Sequence, residues 1–282
     1  MIISASRRTD IPALYPQWFL NRIRAGYFIS VNPWNKKQVR RIDIDAKKVD
    51  CIVFWTKDPH NMLSGLDELD KYGYRYYFQF TLNAYGRDIE PGLRPKPLII
   101  KTFRELAVRI GKDRLVWRYD PIILNEATDI KWHDENFTML CDRIAGLADT
   151  CIISFYDPYP RIKSTLLRKS SNEQMLKLCS MISKTADRYG ISLKACCEEL
   201  DLSCFGIERS ACIDIGRIEK LCRYPVKEIK DPNQRKGCGC AKSIDIGSYG
   251  TCIHGCIYCY ANFDHKAAMK RFSSHDPSSG SL

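Results

Sequence analysis

Three cysteines near the end of the chain, Cys252, Cys256 and Cys259, are spaced C-x3-C-x2-C. Thiolates are soft ligands, and three on one short loop can hold three irons of a four-iron four-sulfur (4Fe-4S) cluster. The fourth iron then has no protein ligand, much as a catalytic metal keeps an open position. Zinc is the rival occupant. Structural zinc favours C-x2-4-C pairs that recur and close four ligands, and three thiols in eight residues fit that pattern less naturally. Tyr258, directly before the third cysteine, is the candidate cofactor-binding residue.

The chain holds 14 cysteines in 282 residues. Its opening, Met1-Ile2-Ile3-Ser4-Ala5-Ser6-Arg7-Arg8, reads as a strand followed by charge and not as a signal peptide. No run of about 18 apolar residues predicts a membrane span. A cytoplasmic setting without a membrane is therefore expected, where cysteines serve as metal ligands or reduced core thiols. Cys51, Cys141, Cys151 and Cys179 lie in apolar patterns and read as small buried hydrophobes. Cys238-Gly239-Cys240 is different, because the glycine lets both sulfurs turn to one centre. With Cys196 and Cys212 these two make a second, fully ligated centre, either an auxiliary 4Fe-4S cluster or zinc. Cys197, Cys204 and Cys222 read as core thiols, and His254 and His265 as surface histidines on loops.

A formal charge of +11 gives a surface that attracts nucleic acid, a nucleotide or another phosphate-bearing substrate. No run of six basic residues marks a dedicated nucleic-acid arm. Hydrophobic residues make up 45%, enough for a barrel-sized core with an appendix.

The elements that must carry these side chains recur about every 40 residues. Apolar, β-branched runs begin at Ile2, Cys51, Tyr76, Leu115, Cys151 and Ile191, and each ends in polar residues. Helices are predicted from Asp10 to Gly26, Pro97 to Ile110, Asp134 to Leu147 and Asn172 to Tyr189, with a short one near Ile215–Leu221. Residues 28–44 read as a hairpin turning at Asn32-Pro33-Trp34-Asn35. Alternating strands and helices predict an α/β fold with a parallel sheet, a partial (β/α)6 TIM-like barrel over residues 1–198. An open doubly wound sheet is the alternative, weakened by the lack of a glycine-rich dinucleotide fingerprint. Residues 199–282 form a cysteine-rich cap on the barrel mouth, with a charged loop from Pro225 to Gly237 and a tail that frays from Ser273.

In such barrels catalytic side chains sit at the C-terminal ends of the strands. Those ends carry Arg7, Arg8, Asp10, Lys57, Asn83, Arg118, Asp120, Tyr156, Asp157 and Glu198. Arginine and lysine there suit carboxylate or phosphate. Asp120 and Glu198 suit a ribose hydroxyl or an amine. Asp10 also reads as a helix cap, and Asp120 and Asp157 as turn formers before proline.

The triplet, with an aromatic residue before its third cysteine, resembles the signature of radical S-adenosylmethionine (SAM) enzymes, C-x3-C-x-aromatic-C. The whole chain resembles a prokaryotic radical-SAM-like family with that motif at its C-terminus, loosely labelled DNA repair photolyases by likeness to spore photoproduct lyase. The resemblance rests on Ser6-Arg-Arg-Thr-Asp-Ile-Pro, Phe54-Trp-Thr-Lys-Asp-Pro, Gln79-Phe-Thr-Leu-Asn, Trp117-Arg-Tyr-Asp-Pro, Cys238-Gly-Cys and Cys252 to Asn262. It implies an oxygen-sensitive 4Fe-4S cluster on Cys252, Cys256 and Cys259, with SAM on the open iron. It also implies a small-molecule or nucleotide-like substrate and an electron donor such as flavodoxin or ferredoxin. Ordinary radical SAM enzymes place the cysteine loop after the first strand and Gly-Gly-Glu after the second. Here Arg7-Arg8-Thr9-Asp10 and Thr56-Lys57-Asp58 stand at those places. The alternative function is a non-radical iron-sulfur or zinc protein that binds nucleic acid.

Overall fold

Strands form where β-branched and aromatic residues alternate their side chains between two covered faces. The computed structural model describes residues 1–282 other than 34, 161, 163, 228 and 236, with only the backbone of Lys36. In chain order the elements are β1 (Ile2–Ala5), α1 (Ile11–Leu14), α2 (Pro16–Ala25), β2 (Tyr27–Asn32), β3 (Asn35–Asp43) and β4 (Cys51–Thr56). Next come α3 (Leu66–Lys71), β5 (Tyr76–Thr81), α4 (Lys96–Ile110), β6 (Leu115–Ile122), α5 (Ile130–Ile144) and β7 (Thr150–Phe155). The rest are α6 (Asn172–Arg188), β8 (Ser192–Ala195), β9 (Glu208–Arg209), α7 (Ile215–Cys222), β10 (Ile244–Asp245) and α8 (His265–Ser273).

The protein is a mixed α/β fold around an eight-stranded sheet in the order β10-β1-β4-β5-β6-β7-β8-β9. Every ladder in it is parallel. The six predicted strands are its centre. Among the described residues no ladder joins β9 to β10, so the sheet does not close. Both short edge strands come from the region after residue 198, and sequence reading missed them. Two residues carry too little pattern to register as strands.

The period of two sorts the sheet's side chains onto two faces. Ile3, Ala5, Ile52, Phe54, Phe78, Phe80, Trp117, Tyr119 and Ile153 pack under the helices in the main core. Ile2, Val53, Tyr77, Val116 and Ile152 face the other way, onto Cys212, Ile213, Ile218, Cys238, Cys240 and Ala241. The cysteine-rich segment therefore covers a face of the sheet as well as supplying both its edges.

Local chemistry sets the helix ends, and it moves some predicted ones. The predicted helix over residues 10–26 is two helices. Asp10 caps α1 by accepting from Ala13 N at 3.1 Å, and Pro16 starts α2 afresh at its first turn. Helix α2 ends at Gly26, whose φ of +72° suits glycine. Helix α5 begins at Ile130, four residues before the predicted start, because Asp129 caps it by accepting from Trp132 N. Strand β6 runs on through Asp120 and Pro121 with a register shift, so Arg118 and Asp120 lie inside it and not beyond its end. The hairpin is β2–β3, and Trp34 of its predicted turn lies outside the described residues, as does Lys236 of the charged loop.

The C-terminal tail does not fray. Trp18 Nε1 donates to Ser279 O at 2.9 Å, Arg22 Nη2 to Ser278 O at 2.9 Å, and Ile29 N to Gly280 O at 2.7 Å. A backbone held at three successive carbonyls is ordered whatever its side-chain composition. Cys204 is exposed and is not a core thiol, whereas Cys222 is buried. No helix is long and apolar enough to cross a membrane among the described residues.

His133 on α5 is fully buried, accepting from the Tyr119 hydroxyl (2.7 Å) and donating to Ile123 O (2.9 Å). Burial, only partly offset by the Ile123 hydrogen bond, lowers its pKa to about 4. The unfolded chain then binds this proton more readily than the fold. Stability from the neutral imidazole is complete above about pH 6.5 and is lost as pH falls toward 4, by roughly 3 kcal/mol. Urea unfolding across pH 4–7 should show that loss, and a His133→Gln variant should flatten it. An unchanged slope in the variant would refute the assignment.

Candidate functional site

Strands β4, β5, β6 and β7 turn Trp55, Gln79, Arg118 and Ser154 toward the face that the cysteine-rich segment covers. Tyr77 and Gln79 both donate to the carbonyl of Cys212, at 2.6 and 2.7 Å, and seat it on the sheet. Around that anchor four sulfurs run in sequence. Cys196 Sγ lies 3.1 Å from Cys212 Sγ. Cys212 contacts Cys240, and Cys240 contacts Cys238. The predicted quartet of Cys196, Cys212, Cys238 and Cys240 is thus brought together, with Cys197 against Cys238. Cys197 has φ of +61°, a strained value for a residue with a Cβ. Within the quartet the pKa is lowered at Cys196, chiefly by its contact with Cys212, and at Cys240. Hydrogen bonds from Cys212 and Cys238 drive the Cys240 pKa far down, helped by the Ile213 N–H at 3.4 Å. Cys212 is held up by its thiol neighbours.

Arg118 Nη1 reaches Cys212 Sγ at 2.8 Å, while its other nitrogens grip the Asp120 carboxylate. Ser154 Oγ donates to the second oxygen of Asp120. The guanidiniums of Arg118 and Arg7 lie over the Trp55 ring, at 5.3 and 5.6 Å from its centre. Burial works against the charge of Arg7, but Cys240 and Asp245 outweigh it and raise its pKa.

The thiol triplet is docked on the C-terminal edge of the sheet. His254, buried and not on the surface as expected, lies with Nε2 3.0 Å from Asp10 Oδ2. The same oxygen accepts from Lys57 N at 2.7 Å, after β4. Lys57 Nζ donates to the Tyr258 hydroxyl (2.6 Å) and Glu90 Oε1 (2.9 Å), and Tyr258 donates to Glu90 at 2.5 Å. Lys96 pairs with the other Glu90 oxygen. Burial opposes the charge of Glu90, but Lys57 and Lys96 win and lower its pKa to about 2. Gly92 N donates to His254 O at 2.8 Å, and a Cβ there would lie 2.6 Å from that oxygen, so only glycine fits. Ile257 N donates to Ile89 O at 3.1 Å and Tyr260 OH to Arg7 O at 2.9 Å.

Of the other predicted site residues, Asn83 is a bracket. Both ends of its amide are spent on the backbone of Asp120, at 2.9 Å each. Tyr156 packs with Tyr85, Ile89 and Ile123. Glu198 accepts from Phe155 N at 2.7 Å, and burial raises its pKa to about 7. Arg8 donates to Gly247 O and lies over Tyr249. Asp157 pairs with Arg235 near the surface. His265 is exposed, as expected. Glu90, Trp55 and His254 were missed as members of the site. A lone glutamate in a Pro-Gly loop carries no spacing signal, and only the fold gives it two lysines.

Among the described residues no group of three or more His, Cys, Asp or Glu side chains is arranged to hold a metal ion. The donor set nonetheless fits a soft metal centre. Burial raises all three triplet thiols, Cys256 to about 12, while backbone hydrogen bonds from His254 to Cys252 and from Ala261 and Asn262 to Cys259 favour thiolate. Among the described residues Trp55 Nε1 is buried without a hydrogen-bond partner, a donor that an inorganic sulfide would satisfy.

The fold and its sulfur groups define a mixed α/β protein with thiols gathered on one face and one edge of a parallel sheet. The chain belongs to the family described as Domain of unknown function (DUF1848), whose model matches residues 2–261. No curated protein matches it. Among solved structures, a candidate alpha-L-fucosidase from Bacteroides thetaiotaomicron is similar at 11% identity over 79% of this chain and 83% of that one. Its TM-score is 0.29, which supports no inference about fold or site.

Glu90 is 2% exposed between two lysines, so neutralising it leaves buried charge without a partner. Glu90→Gln should cost about 3 kcal/mol in urea unfolding. Adding Lys57→Met should recover part of that loss. A cost below about 1 kcal/mol, or strict additivity, would refute the network.

Proposed function

We propose that this protein is a radical SAM-type enzyme acting on an anionic substrate. The carrying observation is the docking of the thiol triplet on the C-terminal edge of the sheet, through His254 to Asp10 and Tyr258 to Lys57 and Glu90. In this reading the six central strands form a partial (β/α)6 barrel, and that edge is its mouth. Cys252, Cys256 and Cys259 would hold a 4Fe-4S cluster, and Cys196, Cys212, Cys238 and Cys240 a second cluster or zinc. When bound and reduced, such a cluster supplies the electron that cleaves SAM to a 5'-deoxyadenosyl radical.

The chain's own residues do the rest. Lys57 sets a positive charge beside Cys256 and orients Tyr258. Asp10 positions the loop through His254. Arg7 and Arg8 supply cations for a carboxylate or phosphate. Arg118 and Asn83 are positioning residues, because their polar atoms are used within the protein. Glu198 with its raised pKa can hold a proton near neutral pH. An electron donor such as flavodoxin or ferredoxin completes the scheme.

The test is anaerobic purification and reconstitution with dithionite and SAM. Formation of 5'-deoxyadenosine is expected in the parent and not in Cys256→Ala. A Cys238→Ala/Cys240→Ala variant should lose about four irons per chain if the quartet holds a cluster, or one zinc if it holds zinc. No 5'-deoxyadenosine above the Cys256→Ala background from an iron-loaded parent would sink the reading.

A further inference from the structure

One residue past the last cysteine of the triplet, Tyr260 is stacked on Tyr159, with ring centres 5.3 Å apart and planes 26° apart. Tyr260 is nonetheless 37% exposed. It is also low in the site: its hydroxyl reaches the carbonyl of Arg7 at 2.9 Å. Tyr159 is itself within electrostatic reach of Arg235, Asp157, Asp120 and Cys197. Tyr260 in turn lies within electrostatic reach of Cys259 and Arg7, so the pair neighbours one thiol of the triplet and Cys197, which touches the quartet at Cys238. Cations stand nearby. Arg7 lies over Trp55, and among the described residues its guanidinium makes one hydrogen bond, to Ser243 Oγ at 3.3 Å, while Arg8 lies over Tyr249, itself 37% exposed. Arg235 is paired with Asp157.

A bare aromatic stack is a poor use of surface unless something planar continues it, since each added ring contributes about 1–3 kcal/mol. Guanidiniums beside it select an anion, bidentate where the geometry allows. We propose that Tyr260 and Tyr159 form a stacking platform for the base of a mononucleotide-sized ligand whose phosphate meets Arg7 and Arg8. This deepens the proposed function by naming the substrate class, and rests on it only in calling the ligand a substrate. An adenosine ring is shared by such a nucleotide and by SAM, so the test separates the two.

The measurement is calorimetric binding of adenosine 5'-monophosphate to the anaerobically purified holoprotein, with no turnover needed. Tyr260→Ala should weaken binding at least tenfold, while Tyr260→Phe, which keeps the ring, should stay within about threefold of the parent. Arg8→Gln should weaken the nucleotide but leave adenosine unchanged. Ribose 5-phosphate should bind at least tenfold more weakly than the nucleotide. Simultaneous binding of the nucleotide and SAM would uphold the platform as a substrate site, whereas stoichiometric displacement of the nucleotide by SAM would assign the rings to the cosubstrate and overturn the proposal. Equal binding by Tyr260→Ala with unchanged thermal stability, or ribose 5-phosphate binding as well as the nucleotide, would overturn it. Nucleotide binding without 5'-deoxyadenosine formation would sink the radical reading and leave the platform standing.

Discussion

One carboxylate ties the C-terminal edge of the sheet together. Asp10 accepts from Ala13 N, Lys57 N and His254 Nε2 while only 6% exposed. Each bond belongs to a different part of the chain: the start of α1, the end of β4, and the loop between Cys252 and Cys256. A buried carboxylate is tolerated when its lone pairs are used, and here all three uses are structural joints. Because the cysteine loop comes from the far end of the chain, it has no covalent reason to lie on the sheet. Asp10, with Tyr258 in the Lys57–Glu90 pair and Gly92 against His254, is what holds it there.

The second organising constraint is the alternation of strand side chains. The face under the helices is almost wholly apolar, while the opposite face mixes Val53, Tyr77, Val116 and Ile152 with the polar Gln79 and Arg118, both nearly inaccessible. Polar side chains at such positions oppose burial unless partners are waiting. The partners come from the cysteine-rich segment: the Cys212 carbonyl for Tyr77 and Gln79, and the Cys212 sulfur for Arg118. Sheet and segment are therefore not separable layers. The apolar contacts bring them together, and the polar ones fix which sulfur sits where.

Much of this could be read from the chain alone, and the division follows from interaction range. The six central strands, the hairpin and most helices are local patterns, and they lie within a few residues of their predicted bounds. The association of Cys196, Cys212, Cys238 and Cys240 was also legible, because cysteines that recur late in the chain, two of them around a glycine, read as partners at one centre. What was not legible depends on contacts between distant segments. His254 looks like any loop histidine until Asp10 is beside it. Glu90 becomes special only between Lys57 and Lys96. The tail reads as polar and loose, but its order comes from donors on α2 and β2. Asn83 and Arg118 sit where a barrel would use them for ligands, and the fold spends them on Asp120 and Cys212.

The charge balance explains why arginines gather where they do. Burial opposes ionisation of the quartet thiols, and the pKa falls at Cys196 and Cys240 because thiol contacts, helped by Arg118 and Arg7, outweigh it. Arg7 and Arg118, stacked on Trp55, bring two positive charges to that face, while Asp120 and Asp245 take back part of them. On the edge side the Arg7 guanidinium leans on an aromatic ring and a serine hydroxyl, with the Asp245 carboxylate accepting from its backbone N–H and, with Cys240, balancing its charge from a distance. A cation held by a ring keeps hydrogen-bond donors in reserve, whereas one locked to a carboxylate does not.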